Sequence, residues 1–184
     1  MQYGDEKIIA ERVAQTEREQ LSIAKQVKID GTMYEFSNRV ICDKFCMKIP
    51  NNFEVLPAEL AAIKYPSANR PEVIFSSPDT TVDIFFTCGE KETDTIKDRI
   101  THNKLVVKKL NPSYVFTSIK AGSKLAYFDF RSHALDDDIY NLWFLADLPE
   151  STISGGFSCP TSVQSQWQAL ALQMLQTIAV LPRK

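Results

Sequence analysis

IYNLWFLADLPESTISGGFSCPTSVQSQWQALALQMLQTIA, residues 139–179, changes its pattern halfway along, and that change decides the fold. The first half reads as two strands, Ile139–Leu148 and Ile153–Cys159, joined at Pro149-Glu150. From Thr161 to about Ala179 the pattern becomes helical: Val163, Trp167, Leu170, Met174 and Ile178 follow at spacings of four, three, four and four. A helix striped in this way buries that face against the sheet before it. The expected class is therefore α+β, with a mostly antiparallel sheet closed by a terminal helix.

Working back from this stretch extends the sheet. Tyr114–Ile119 and Lys124–Arg131 read as further strands, with connections at Ala121-Gly122 and Asp136-Asp137-Asp138 short enough for a meander. A helix from about Thr95 to Lys109 has Thr93 or Thr95 as cap and Asn111-Pro112 as stop, and its buried face is Ile96, Ile100 and Val107. Val73–Ser76 and Thr81–Cys88 flank a Ser77-Pro78-Asp79 turn, and Pro57–Ile63 suits a short helix with proline in its first turn. Phe45, Met47 and Ile49 alternate with polar residues up to Pro50. Asp30-Gly31, between Gln26–Ile29 and Thr32–Phe36, is a strong hairpin signal. Residues 5–25 read as a helix with only a thin apolar stripe. The chain thus divides into an N-terminal helical extension, 1–25, and one α+β domain, 26–184. The extension could pack between two copies in a homodimer.

The totals narrow the function. The chain has 184 residues, enough for one domain with a substantial core, and a net charge of −2 that provides no field for gathering nucleic acid. The densest basic group, Lys104, Lys108 and Lys109, reads as a solvated helix end. The longest strongly apolar run is Leu142–Ala146, so no membrane span is expected. The charged N-terminal stretch lacks a signal-peptide core, and the four cysteines lack close CxxC pairing. Reduced thiols and a cytoplasmic location follow as expectations.

The residues that could carry chemistry form no complete set. His133 with Asp136, Asp137 and Asp138 lacks the spacing and glycine of a calcium loop and reads as a polar turn. Cys42 and Cys46 would share a face of a continuous strand, but no second Cys or His pair completes a zinc set. Cys159, placed between Gly155-Gly156 and the final helix, would have its thiol pKa lowered by the helix dipole, although neither histidine is placed beside it by the sequence. The double glycine belongs to no phosphate-loop motif. Tyr65, Arg70, Pro71 and Tyr140 are candidates for protein binding, because arginine and tyrosine are enriched at hot spots and proline-flanked loops order cheaply. No cofactor or metal is expected.

Ile49-Pro50-Asn51-Asn52-Phe53, a central helix, a meander and Gly156-Phe157-Ser158-Cys159 before a Trp-bearing helix together resemble the Mog/PsbP-like α/β/α sandwich. Lys64-Tyr65-Pro66-Ser67, Arg70-Pro71 and Asp138-Ile139-Tyr140-Asn141-Leu142 are similar to an uncharacterised bacterial cytoplasmic family of that architecture. The resemblance covers about 26–182. It implies non-catalytic protein binding, since such folds serve as photosystem subunits, a Ran-binding factor and secretion-adaptor chaperones. The expectation is a non-enzymatic protein-binding or adaptor module. A secretion-adaptor chaperone and a thiol enzyme or sensor centred on Cys159 are the alternatives.

Overall fold

The computed structural model describes residues 26–134 and 137–181; the helix expected over 5–25 and Asp136 of the acidic turn lie outside these. Strands β1 (Gln26–Ile29), β2 (Thr32–Ile41), β3 (Phe45–Pro50) and β4 (Glu54–Val55) precede helix α1 (Ala58–Lys64). Next come β5 (Val73–Ser76), β6 (Asp83–Glu90) and helix α2 (Ile96–Leu110). Strands β7 (Val115–Phe116), β8 (Lys120–Ala121), β9 (Leu125–Ser132), β10 (Ile139–Asp147) and β11 (Ser151–Pro160) follow. A 3₁₀ turn, Thr161–Val163, leads into α3 (Gln164–Gln176), and β12 (Ala179–Val180) closes the described chain.

Among the described residues, every strand pairing is antiparallel. The larger sheet has eight strands in the order β4-β5-β6-β11-β10-β9-β7, with β8 also on β9, and a second sheet runs β1-β2-β3-β12. The alternation of β10 distributes its side chains: Leu142, Phe144 and Ala146 enter one core, and Leu145 with Trp143 another. The first core lies between the large sheet, the small sheet and α3. Trp167, only 2% exposed, sits at its centre against Tyr34, Phe53 and Phe157, with ring centroids 5.1, 5.7 and 5.7 Å away. The second core lies under α2, where Ile96, Ile100 and Val107 meet Ala126, Phe128 and Phe130. Each buried side chain of this size contributes roughly 1.5–3 kcal/mol. The molecule is thus layered as expected, except that the small sheet shares a layer with the terminal helix.

Three local departures have physical causes. The strand expected over Tyr114–Ile119 is broken into β7 and β8. Val115 pairs Arg131 and Thr117 N–H reaches Asp129 O, whereas Lys120 pairs Tyr127, so Ser118 and Ile119 together oppose Phe128 in a bulge. The terminal helix stops three residues early, because Thr177 Oγ1 donates to Met174 O at 2.7 Å and accepts Lys48 N–H at 2.9 Å. That draws the chain onto β3 as β12. Cys42 and Cys46 do not share a strand face, since Cys42 and Asp43 both have positive φ (50° and 51°) and form the turn between β2 and β3.

The double glycine lies within β11. A Cβ on Gly155 would sit 2.5 Å from Phe85 O, and one on Gly156 would overlap the Phe85 ring. The missing side chains let two phenylalanine rings, Phe144 on one face and Phe85 on the other, lie flat on the strand.

Candidate functional site

Helix α1 and the loop after it stand on the same face of the large sheet as α2, and a groove runs between them. Thr95 caps α2 by accepting Asp98 N–H at 3.2 Å, which sets the helix start and directs Val106, Val107 and Leu110 towards the groove. On the facing side, Tyr65 packs edge-on to Phe85 with ring centroids 5.7 Å apart, and Pro71 completes that wall. Trp143 and Phe130 form the base. The groove holds about 700 Å³, within the range of ligand-binding clefts, and no carboxylate is among its described lining residues. Val106 is 41% exposed and Leu110 is 73% exposed. Lys108 and Lys109 occupy the last turn of α2, and Arg70 lies exposed on the opposite loop.

Tyr65 is anchored from beneath. Its hydroxyl donates to Asp83 Oδ2 at 2.6 Å, and the same carboxylate accepts Ser76 Oγ at 2.6 Å and pairs with Lys64 Nζ at 2.6 Å. Asp83 is fully buried, so these three partners supply the compensation that a buried carboxylate requires. Burial first, and the charge of Asp83 second, push the Tyr65 hydroxyl well above its ordinary pKa. The tyrosine therefore presents a fixed ring to the groove.

The structure separates the four expected binding residues. Tyr65 and Pro71 line the groove and Arg70 is exposed on the same loop, but Tyr140 is on the other face of the sheet and only 2% exposed. Its hydroxyl donates to Asp129 Oδ2 at 3.1 Å, and Gln168 Nε2 of α3 donates to the same oxygen at 3.0 Å. Tyr140 is an internal strut and offers a partner no surface.

The expectation for Cys159 is also corrected. It is buried inside β11, and Pro160 and the 3₁₀ turn separate it from the first residue of α3. Burial, helped by the charge of Asp137, pushes its thiol up to about 12 rather than down. Of the acidic turn, Asp138 meets His133 Nδ1 at 2.9 Å while Asp137 caps the 3₁₀ turn, accepting Thr161 Oγ1 at 2.9 Å and Ser162 N–H at 3.3 Å. This is the bonding of a polar turn.

Two clusters had no counterpart in the sequence reading. Arg99, 6% exposed, reaches both carboxylate oxygens of Asp147 from Nη2, each at 2.7 Å, and donates from Nη1 to Thr152 Oγ1 at 3.2 Å and from Nε to Asp94 O at 3.1 Å. Partial burial alone would raise the Asp147 carboxyl, but the hydrogen bonds from Arg99 and Thr152, with the charge of Arg99, hold it below its ordinary value. A signal existed, because Arg99 falls beside Ile96 and Ile100 on the apolar stripe of α2. The second cluster joins the thiols of Cys42 and Cys88 with the carboxylate of Glu72. Burial first, then hydrogen bonding with Cys88, pushes the Cys42 thiol up to about 12.

No family model and no curated protein matches this chain. Solved structures do. The solution structure of cyanobacterial PsbP (CyanoP) from Synechocystis sp. PCC 6803 superposes with a TM-score of 0.60 over 79% of this chain and 92% of that one, at 11% identity. A Bacteroides thetaiotaomicron VPI-5482 protein gives 0.47 at 14% identity, over 76% of this chain and 46% of that one. A Pseudomonas aeruginosa protein of unknown function, PA94, gives 0.45 at 10% identity, over 81% and 98%. The likeness to CyanoP is one of fold: this chain is a mixed α+β protein of PsbP-like architecture.

Proposed function

We propose that this domain is a non-enzymatic binding module that holds an acidic, aliphatic segment of a protein partner in the groove between α2 and the 65–71 loop. The observation that carries the reading is the groove itself. It combines half-buried Trp143 and Phe85 with exposed Val106 and Leu110, and no described lining residue is a carboxylate. Aliphatic anchors would bury against Val106, Leu110 and Trp143, and acidic flanks would meet Lys108, Lys109 and Arg70 at the rims. The anchored Tyr65 ring and the proline at position 71 make one wall rigid, which reduces the entropy lost on binding. Support for a thiol enzyme centred on Cys159 falls away with the burial of that residue. A secretion-adaptor chaperone remains a special case of the binding reading, as does membership of an uncharacterised bacterial cytoplasmic family. No helix among the described residues is long and apolar enough to cross a membrane.

The test uses Trp143 fluorescence, isolated from that of buried Trp167 by comparison with Trp143→Phe. A pool of peptides carrying Leu or Phe among Asp and Glu is expected to shift the emission and saturate, and Leu110→Asp to abolish the response. An equal response to the matching Lys-bearing pool, or none to either, sinks the reading. Saturation by a fatty acid but not by peptide would move the groove to a small-molecule role.

A further inference from the structure

We propose that Cys42, Cys88 and Glu72 form a three-ligand site for a thiophilic divalent cation, zinc foremost, that clamps the small sheet to the large one. Three segments distant in sequence meet here: the β2–β3 turn supplies Cys42, β6 supplies Cys88, and the residue before β5 supplies Glu72. Their ligand atoms all lie within 4.8 Å of one another. Cys42 Sγ stands 3.7 Å from Glu72 Oε2. A tetrahedral ion with bonds of about 2.3 Å to sulfur and 2.0 Å to oxygen would place such a pair about 3.5 Å apart, so the donors already stand close to a coordination edge.

The carboxylate is aimed as well as near. Glu72 Oε2 also accepts the backbone N–H of Cys88 at 3.4 Å, which holds it beside both cysteines. The backbone gives an independent observation. Cys42 and Asp43 both have positive φ, and Lys44 N–H closes on Ile41 O at 3.1 Å. A two-residue hairpin turn of this kind favours Asn-Gly, and a cysteine at its first position is disfavoured by its Cβ. Strained backbone of this sort concentrates at functional sites, and here it carries a ligand. Two sulfurs and one carboxylate oxygen suit zinc and exclude calcium or magnesium as preferred ions. Glu72 is exposed, so solvent can supply the fourth ligand. Binding displaces the two thiol protons to solvent, leaving both sulfurs as thiolates on the metal.

The experiment uses the full chain, metal-free and kept reduced with a phosphine. Cobalt(II) should give thiolate-to-cobalt charge-transfer absorption in the near ultraviolet and tetrahedral d–d bands in the visible, saturating at one equivalent and bleached by zinc. Cys42→Ser and Cys88→Ser should each lose the charge-transfer intensity, Glu72→Gln should weaken binding at least about tenfold, and Cys46→Ser should leave it intact. Zinc at 100 times its Kd should raise Tm by about 5–10 °C in wild type and not in Cys42→Ser. No charge-transfer band from the reduced protein, or a band that survives in Cys42→Ser, overturns the site. A Cys42–Cys88 disulfide in non-reducing mass spectrometry, with no metal bound after reduction, would also overturn it and make the pair a redox couple. None of these readouts depends on peptide binding in the groove.

Discussion

Arg99 shows how much one side chain can hold together when it is buried with its partners. Its Nη2 contact with Asp147 joins α2 to β10, and its Nη1 and Nε donate to Thr152 Oγ1 and Asp94 O. Asp147→Ala would leave a buried guanidinium short of its main partner, and a loss of about 3 kcal/mol in urea unfolding is expected. Because the folded carboxyl titrates below its unfolded value of about 4, this contribution is present above pH 4 and disappears as the pH falls through the folded value. The stability of Asp147→Ala should therefore converge on that of wild type towards pH 2; a gap that stays constant with pH would mean that the pair contributes through packing alone. Arg99 was missed because an arginine is ordinarily expected at the surface, even where it interrupts an apolar stripe. The Cys42–Glu72–Cys88 cluster was illegible for another reason: its members lie 30 and 16 residues apart, and no local spacing rule reaches across two sheets. Cys159 failed differently, since its proximity to a helix start in sequence was undone by Pro160 and a 3₁₀ turn.

At the scale of elements, the periodic signals were the legible ones. The three to four residue spacing of Trp167, Leu170 and Met174 did place them on one buried face of α3, and the Thr95 cap and Asn111 stop bounded α2. Trp167 packs against Tyr34 of the small sheet, Phe157 of the large one and Phe53 of the loop between β3 and β4, so Trp167→Ala should cost about 3–5 kcal/mol in denaturant unfolding. A loss below about 1 kcal/mol would show that α3 is held chiefly by its other contacts. The ends of elements were less legible, because they depend on partners elsewhere. Thr177 stops α3 by bonding Lys48 of β3, and the bulge at Ser118–Ile119 is defined only against Phe128 on β9. The two glycines of β11 look like a turn signal in isolation and are a packing solution in the sheet.

For the molecule as a whole, two tyrosines are kept neutral, Tyr140 in the core around Trp167 and Tyr65 against the small cluster of Leu56, Ala61 and Ile74. Tyr65 and Tyr140 are both pushed above their ordinary pKa, first by burial and then by the facing charges of Asp83 and Asp129. A raised folded pKa gives stability that is complete below the unfolded value of about 10 and is lost as the pH rises beyond it. Thermal melts should therefore fall steeply above pH 10, and Tyr140→Phe should make that fall shallower while lowering neutral stability by about 1 kcal/mol. An unchanged alkaline limb in the variant would remove Tyr140 from the account. The large sheet is blunted at both edges by two-residue strands, β4 on one side and β7 on the other, which limits edge-to-edge association.

The small sheet has a mechanical consequence. Its order, β1-β2-β3-β12, puts the first and last described strands at its two outer edges. Tension applied between residues 26 and 181 is borne first by the two-residue β3–β12 pairing and the four-residue β1–β2 pairing. Both pairings are far shorter than the eight- and nine-residue ladders at the centre of the large sheet. A machine that pulled on these two outer strands would meet the short pairings of the small sheet before the long ladders of the large one.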